Sequence, residues 1–258
     1  MSSGQRKAII IGASSGIGAA LAKELSARGY ALGLTARRTE KMEKELSPIL
    51  SGRHLIRYMD VADTGGATQV LHKLLKDMQG VDLIIINAAV SGSSGRSASG
   101  KPNGSQRRDT EQLIQINVMG FTVMILESYR FFQKQGRGHI VGISSVAAMI
   151  PHPNGSAYNA SKAFVSNYIE SMRLRIRRRK EDITLTDVRP GFVFTPMTRH
   201  NKRMFWASDA DKVARQITDD IEQKKEISHV SRRWNLIVRL FYLMPRRLLL
   251  RILLKAPA

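Results

Sequence analysis

The sequence predicts an α/β fold: a doubly wound parallel sheet with helices on both faces, followed by an amphipathic helical extension at the C-terminus. Three observations predict it. Short runs of Ile, Val and Leu alternate with longer stretches of helical periodicity from the start of the chain, the rhythm of βαβ units. Several of these runs are apolar along nearly their whole length, as strands buried on both faces are. A Gly-rich turn separates the first apolar run from the first helical stretch.

In order, Lys7–Ile11 reads as a strand, followed by the Gly-rich turn and a helix through Arg28. Tyr30–Thr35 is a second strand, and Thr39–Leu46 a charged helix. His54–Met59 is a third strand, with a helix around Ala67–Met78. Val81–Ile86 is a fourth strand; His139–Ile143 and Thr184–Val188 are later ones. Ser91–Asp109, rich in Gly and Ser without apolar periodicity, reads as a flexible loop. It follows a strand's C-terminal end, where ligands of α/β sheets bind.

The chain has 258 residues and no Cys. That length suits a core needing no disulfide or metal. It excludes a thiolate nucleophile and a zinc-thiolate site, and no metal is expected. The first residues do not read as a signal peptide, because only three Ile precede the glycines. The net charge is +20, of which residues 130–258 carry +15, with 25 Lys and Arg against 10 Asp and Glu. Such an excess suits phosphate cofactors, nucleic acid or anionic lipid. No aromatic-studded sheet motif or zinc spacing accompanies it, so no specific nucleic acid is expected.

Three motifs carry chemistry. In KAIIIGASSGIGAALAKEL, Gly12, Gly16 and Gly18 lie between a strand and a helix. Glycine lets backbone approach a pyrophosphate, and the helix start offers free N–H groups and a positive dipole end. The second strand ends at Ala36-Arg37-Arg38. An acid there would meet a free ribose 2′-OH. Arginine suits a 2′-phosphate, so NADP(H) is favoured over NAD(H), with Arg37 first and Arg38 as helper. Tyr158 and Lys162 stand four apart on a helical stretch, hence on one face. A phenol near pH 7 needs such a positive neighbour to exchange a proton.

The G-x-x-x-G-x-G spacing together with Tyr158-Asn-Ala-Ser-Lys162 resembles the classical short-chain dehydrogenase/reductase family. Ile11 replaces that family's usual Thr before the glycines. The resemblance implies a Rossmann-type sheet, and a cofactor turn that includes Ser14, Ser15 and Ile17. It makes Ser145, thirteen residues before Tyr158, the serine that bonds the substrate oxygen, and leaves Ser144 structural. Asn117 matches the helix Asn that ties a water to the lysine; the alternative is a helix-interior Asn bonded to backbone. Asp60 matches the adenine-contacting Asp, with Val61 beside it. Asn87 and Ala88 match the NNAG turn, with Ile86 and Ala89 as departures. Pro190, Gly191, Val193 and Thr195 match PGxVxT, beside the cofactor. The resemblance runs from about Lys7 to Thr195.

It implies hydride transfer between NADP(H) and a small-molecule carbonyl or secondary alcohol, with Tyr158 as acid and base. It further implies a cytoplasmic homodimer or homotetramer assembled through helices near 110–135 and 158–178. The rival class is a non-catalytic dinucleotide-binding sensor or scaffold. On this reading residues 1–206 form the catalytic domain with its lid, and 207–258 a helical extension of the same domain, amphipathic from about 232. The segment Phe192–Trp206 is apolar and Met-rich; it either accepts a hydrophobic, lipid-like substrate or simply packs shut. The tail RRWNLIVRLFYLMPRRLLLRILLK, Arg232–Lys255, holds seven basic residues and no acid. Pro245 splits it and its charges exclude a spanning helix. One stripe holds Arg232, Asn235, Arg239, Tyr242 and Arg246; the other face holds Trp234, Ile237, Val238, Leu240 and Phe241. A peripheral membrane segment and a subunit interface both suit this pattern.

Overall fold

The computed structural model describes residues 5–91, 104–151, 155–198, 204 and 206–255. Its central sheet has seven parallel strands: β1 (Lys7–Ile11), β2 (Ala31–Ala36), β3 (His54–Tyr58), β4 (Leu83–Ile86), β5 (Arg137–Ile143), β6 (Asp182–Pro190) and β9 (Ile227–Val230). Their order is β3-β2-β1-β4-β5-β6-β9, so the winding reverses between β1 and β4. A two-residue pair, β7 (Val193–Phe194) and β8 (Ser208–Asp209), stands apart from that sheet.

The pleat explains the apolar runs. Ile9, Ile11, Ile84 and Ile86 face one side, Ala8, Ile10, Leu83 and Ile85 the other. The first side is covered by α3 (Thr64–Met78), α5 (Phe121–Gln135) and α6 (Ser156–Arg178). The second is covered by α1 (Gly16–Ala27) and α7 (Ala210–Glu222). Both sides exclude water, so neither carries polar alternation.

Three local expectations change. Thr39–Leu46 is not one regular helix: α2 (Thr39–Lys41) widens into a π-helical turn over Met42–Leu46. The Gly/Ser-rich segment falls largely outside the described residues, and α4 (Gly104–Ile114) begins before Asp109. The segment after 206 is not purely helical, because β9 closes the edge of the main sheet against β6. Only then come α8 (Arg233–Leu243) and α9 (Arg246–Lys255), separated at Pro245. No helix among the described residues is long and apolar enough to cross a membrane.

Candidate active site

A cleft of about 650 Å³ opens at the C-terminal ends of β1, β2 and β4, at the reversal of strand order. The turn after β1 forms its floor. Gly12 has φ +95°, and a Cβ there would stand 2.6 Å from the Ala88 nitrogen. At Gly18 a Cβ would stand 2.1 Å from the Gly12 oxygen, so α1 can approach the strand only without a side chain. Asn87 holds the turn from the other side, donating Nδ2–H to the Gly12 carbonyl at 2.7 Å.

The first turn of α1 lies on the cleft wall, through Gly16 and Ile17. Ser15, at its N-cap, makes no capping bond. Instead the Ser14 and Ser15 hydroxyls accept bonds from Arg38 Nη2 at 3.0 and 2.8 Å. The helix start keeps its positive end for an anion. Arg37 lies further round, with Nη1 at 3.9 Å from Asp60 Oδ2. Asp60 in turn accepts from the Ala62 N–H at 3.0 Å. Val61, Ala88 and Thr195 complete the wall; Gly18, Pro190, Gly191 and Val193 do not line the cleft.

Beyond the cleft, β5 ends in Ser144 and Ser145. Ser145 caps the short turn Val146–Ala148, its Oγ accepting from the Ala147 N–H at 3.1 Å. It is hydrogen-bonded to Tyr158, which lies in the first turn of α6. Burial raises the Tyr158 pKa above the usual 10, and the Ser145 bond opposes that shift. Lys162 is one turn on, 4% exposed, its Nζ 5.8 Å from the Tyr158 ring centroid. Burial lowers its pKa to about 8, while the Asp187 carboxylate pulls it back up. Its Nζ donates to the Ile143 carbonyl at 2.9 Å, which aims the side chain beneath the tyrosine. A phenol and a hydroxyl thus share a hydrogen bond, with a buried ammonium one helical turn away.

Asn117 sits in a π-helical stretch, Gln115–Gly120, between α4 and α5. Its amide pins Val90 by both backbone groups, at 2.8 Å each, and donates to Ser161 Oγ at 3.1 Å. It joins Val90, on the wall of the cleft, to the Ser161 side chain of α6.

Residues 6–205 match the sequence profile of the short chain dehydrogenase family. The chain belongs to that family. It is 32% identical over 251 residues to an uncharacterised oxidoreductase of Mycobacterium tuberculosis, covering 95% of this chain and 96% of the relative. In fold it is similar to levodione reductase, at TM-score 0.74 and 20% identity over 87% of this chain and 95% of that one. It is likewise similar to ElxO with NADP bound, at TM-score 0.73 and 19% identity over 88% and 97%. As a short-chain dehydrogenase the protein is an oxidoreductase, and the dinucleotide its family binds carries a nicotinamide.

Two groups in this short-chain dehydrogenase escaped the sequence. Asp187 on β6 is 1% exposed and accepts bonds from Ser144 Oγ, Ser166 Oγ and Arg189 Nε, the last two at 2.7 and 2.6 Å. It ties the C-terminal end of β5 to α6 four residues beyond Lys162. Trp234 of α8 is the other. Its apolar character is legible but its direction is not: spacing sets it with Leu240 on one face, whereas it turns inward. Trp234 and Val238, one turn apart, are buried against Val146 and Phe192, whereas Leu240 is 58% exposed. At 100° per residue Leu240 stands far round the helix from both. Residues 199–203 and 205 of the expected lid lie outside the described residues. Of the rest, Phe194, Met197 and Trp206 are exposed.

Proposed function

We propose that this short-chain dehydrogenase is NADP(H)-dependent and interconverts a carbonyl and a secondary alcohol on a hydrophobic small molecule, with Tyr158 as acid and base. The observation that carries the reading is the Ser145–Tyr158–Lys162 constellation. Bound nicotinamide supplies or accepts the hydride. Ser145 holds the substrate oxygen as charge develops on it. Tyr158 gives that oxygen its proton, and the Lys162 charge eases formation of the phenolate left behind. Burial keeps the resting phenol protonated, which suits reduction.

The cleft fits the dinucleotide. Gly12 and Gly18 let the turn, the Asn87–Ala88 segment and α1 close on one another beneath the cleft, and the α1 terminus is uncapped by side chains. Ala36 stands where an acid would select a 2′-OH, and Arg38 lies on the two serines beside it. That makes Arg38, ahead of Arg37, the candidate for a 2′-phosphate. Phe194, Met197 and Trp206 give the rim an apolar character suited to a hydrophobic carbonyl. Met119, Phe164 and Leu174, exposed along the α4–α6 region, offer a surface for a homodimer or homotetramer.

The test is NADPH oxidation over carbonyls of increasing chain length, with NADH alongside. Tyr158→Phe should lower turnover at least about 10²-fold while NADPH still binds by fluorescence titration. Wild-type turnover in that variant would sink the assignment.

A further inference from the structure

Helix α8 is apolar on two opposite sides, and one of them lacks a partner among the described residues. Trp234 and Val238 face the body beside Ser145. Leu236, Leu240 and Leu243 lie on the opposite side by helical spacing and are 69%, 58% and 85% exposed. Helix α9 is barer still. Among its residues of described exposure only Leu249 is half-buried, while Leu248, Leu250, Ile252 and Leu254 are exposed. A helix of ten residues is marginal in water on its own. A run of bare leucines on that scale marks a docking surface.

Charge identifies the occupant. No acid follows Glu226 in the sequence, and Arg232, Arg233, Arg246, Arg247 and Arg251 are exposed around the leucines. A second copy of the same surface would set cation against cation across a two-fold contact. A bilayer with anionic headgroups accepts both the leucines and the arginines.

We propose that α8 and α9 dock on the surface of an anionic phospholipid bilayer. The outward leucines enter the acyl boundary and the arginines meet the headgroups. The inner side of α8 packs on the turn that follows Ser145, so the docked enzyme holds its substrate mouth at the membrane. Its substrate is then a carbonyl or alcohol dissolved in the bilayer. This last step rests on the reaction assigned to Ser145 and Tyr158; the docking does not.

The test is co-sedimentation of the full chain with sucrose-loaded vesicles of phosphatidylcholine and phosphatidylglycerol, against phosphatidylcholine alone. The protein should pellet with the mixed vesicles and leave them as salt is raised. Each cation lost should lower partition about fivefold. Arg246→Glu with Arg247→Glu should therefore release it by more than about 20-fold, and Leu240→Glu with Leu243→Glu should release it too. Both variants should oxidise NADPH on a short water-soluble ketone as the wild type does. Wild-type protein left in the supernatant with both vesicles would overturn the proposal. So would a halved mass in light scattering for the leucine variant while its vesicle binding is unchanged. Absence of NADPH oxidation in wild type, with vesicle binding intact, would count against the reaction and leave the docking standing.

Discussion

Replacing Gly191 by Ala should strain the contact that seats α8. A methyl built on Gly191 would stand 2.2 Å from both Cδ1 and Nε1 of the Trp234 indole. The backbone is not the obstacle, since Gly191 is not among the residues with positive φ; the ring is. Trp234 is 8% exposed, and a ring of this kind buries about 200 Å². Expelling it would cost up to about 5 kcal/mol at 25 cal/mol per Å². The strand end cannot simply retreat, because the Gly191 N–H donates to the Val230 carbonyl at 3.1 Å. A shared adjustment is cheaper, at the overpacking cost of about 1–3 kcal/mol, and should prevail. For a chain of this size each kcal/mol lowers Tm by about 2–4 °C. Calorimetry reads that fall. Tryptophan emission reads its cause, because the second tryptophan, Trp206, is already 39% exposed and a red shift must come mainly from Trp234. Trp234→Leu should relieve the clash, so the double variant should be less destabilised than the sum of the two single ones. An unchanged Tm and emission in Gly191→Ala would refute the contact.

Arg38→Ser should weaken NADPH about tenfold or more and spare NADH, since a charge-assisted hydrogen bond contributes about 1.5–3 kcal/mol; equal losses for both would exclude a 2′-phosphate role. NADPH-driven reduction should decline above about pH 8, where the buried Lys162 sheds its proton; a rate level to pH 10 would contradict its part. His139 is 9% exposed, and burial first, then the Lys224 charge, lowers its pKa from 6.5 to about 4. The unfolded chain therefore takes up a proton first as pH falls. Stability is held above pH 6.5 and lost towards pH 4, by about 3 kcal/mol in all. Urea midpoints at the two ends should show it, and His139→Gln should flatten the difference.

How far the sequence could be read depended on how far apart the cooperating residues lie. The turn around Gly12–Gly18 and the Tyr158–Lys162 pair are local, so spacing alone placed them on one βα turn and one helix face. Six of the seven strands of the sheet could be read because apolar residues predominate in most of them. Strand β9 was hidden, since Ile227–Val230 reads ISHV and its polar residues find partners only in the fold: Ser228 donates to Asp220 Oδ2 at 2.6 Å. The π-helical stretch at Asn117 likewise leaves no trace in periodicity over six residues.

Asp187 shows why such groups stay silent. Within TLTDVRP it looks like a charge on an exposed edge, yet β6 is interior and its carboxylate is almost wholly enclosed. A buried carboxylate without partners is costly. This one accepts from two serines and an arginine drawn from β5, α6 and β6, so its charge is satisfied where it lies. That charge in turn supports the ammonium of Lys162 against the desolvation that lowers its pKa. Ser144, Ser166 and Arg189 are each unremarkable in sequence, and all three donate to the Asp187 carboxylate. The carboxylate they hold carries their effect to Lys162. A constellation of that kind is specified by the packing of three elements, and no spacing within any one of them announces it.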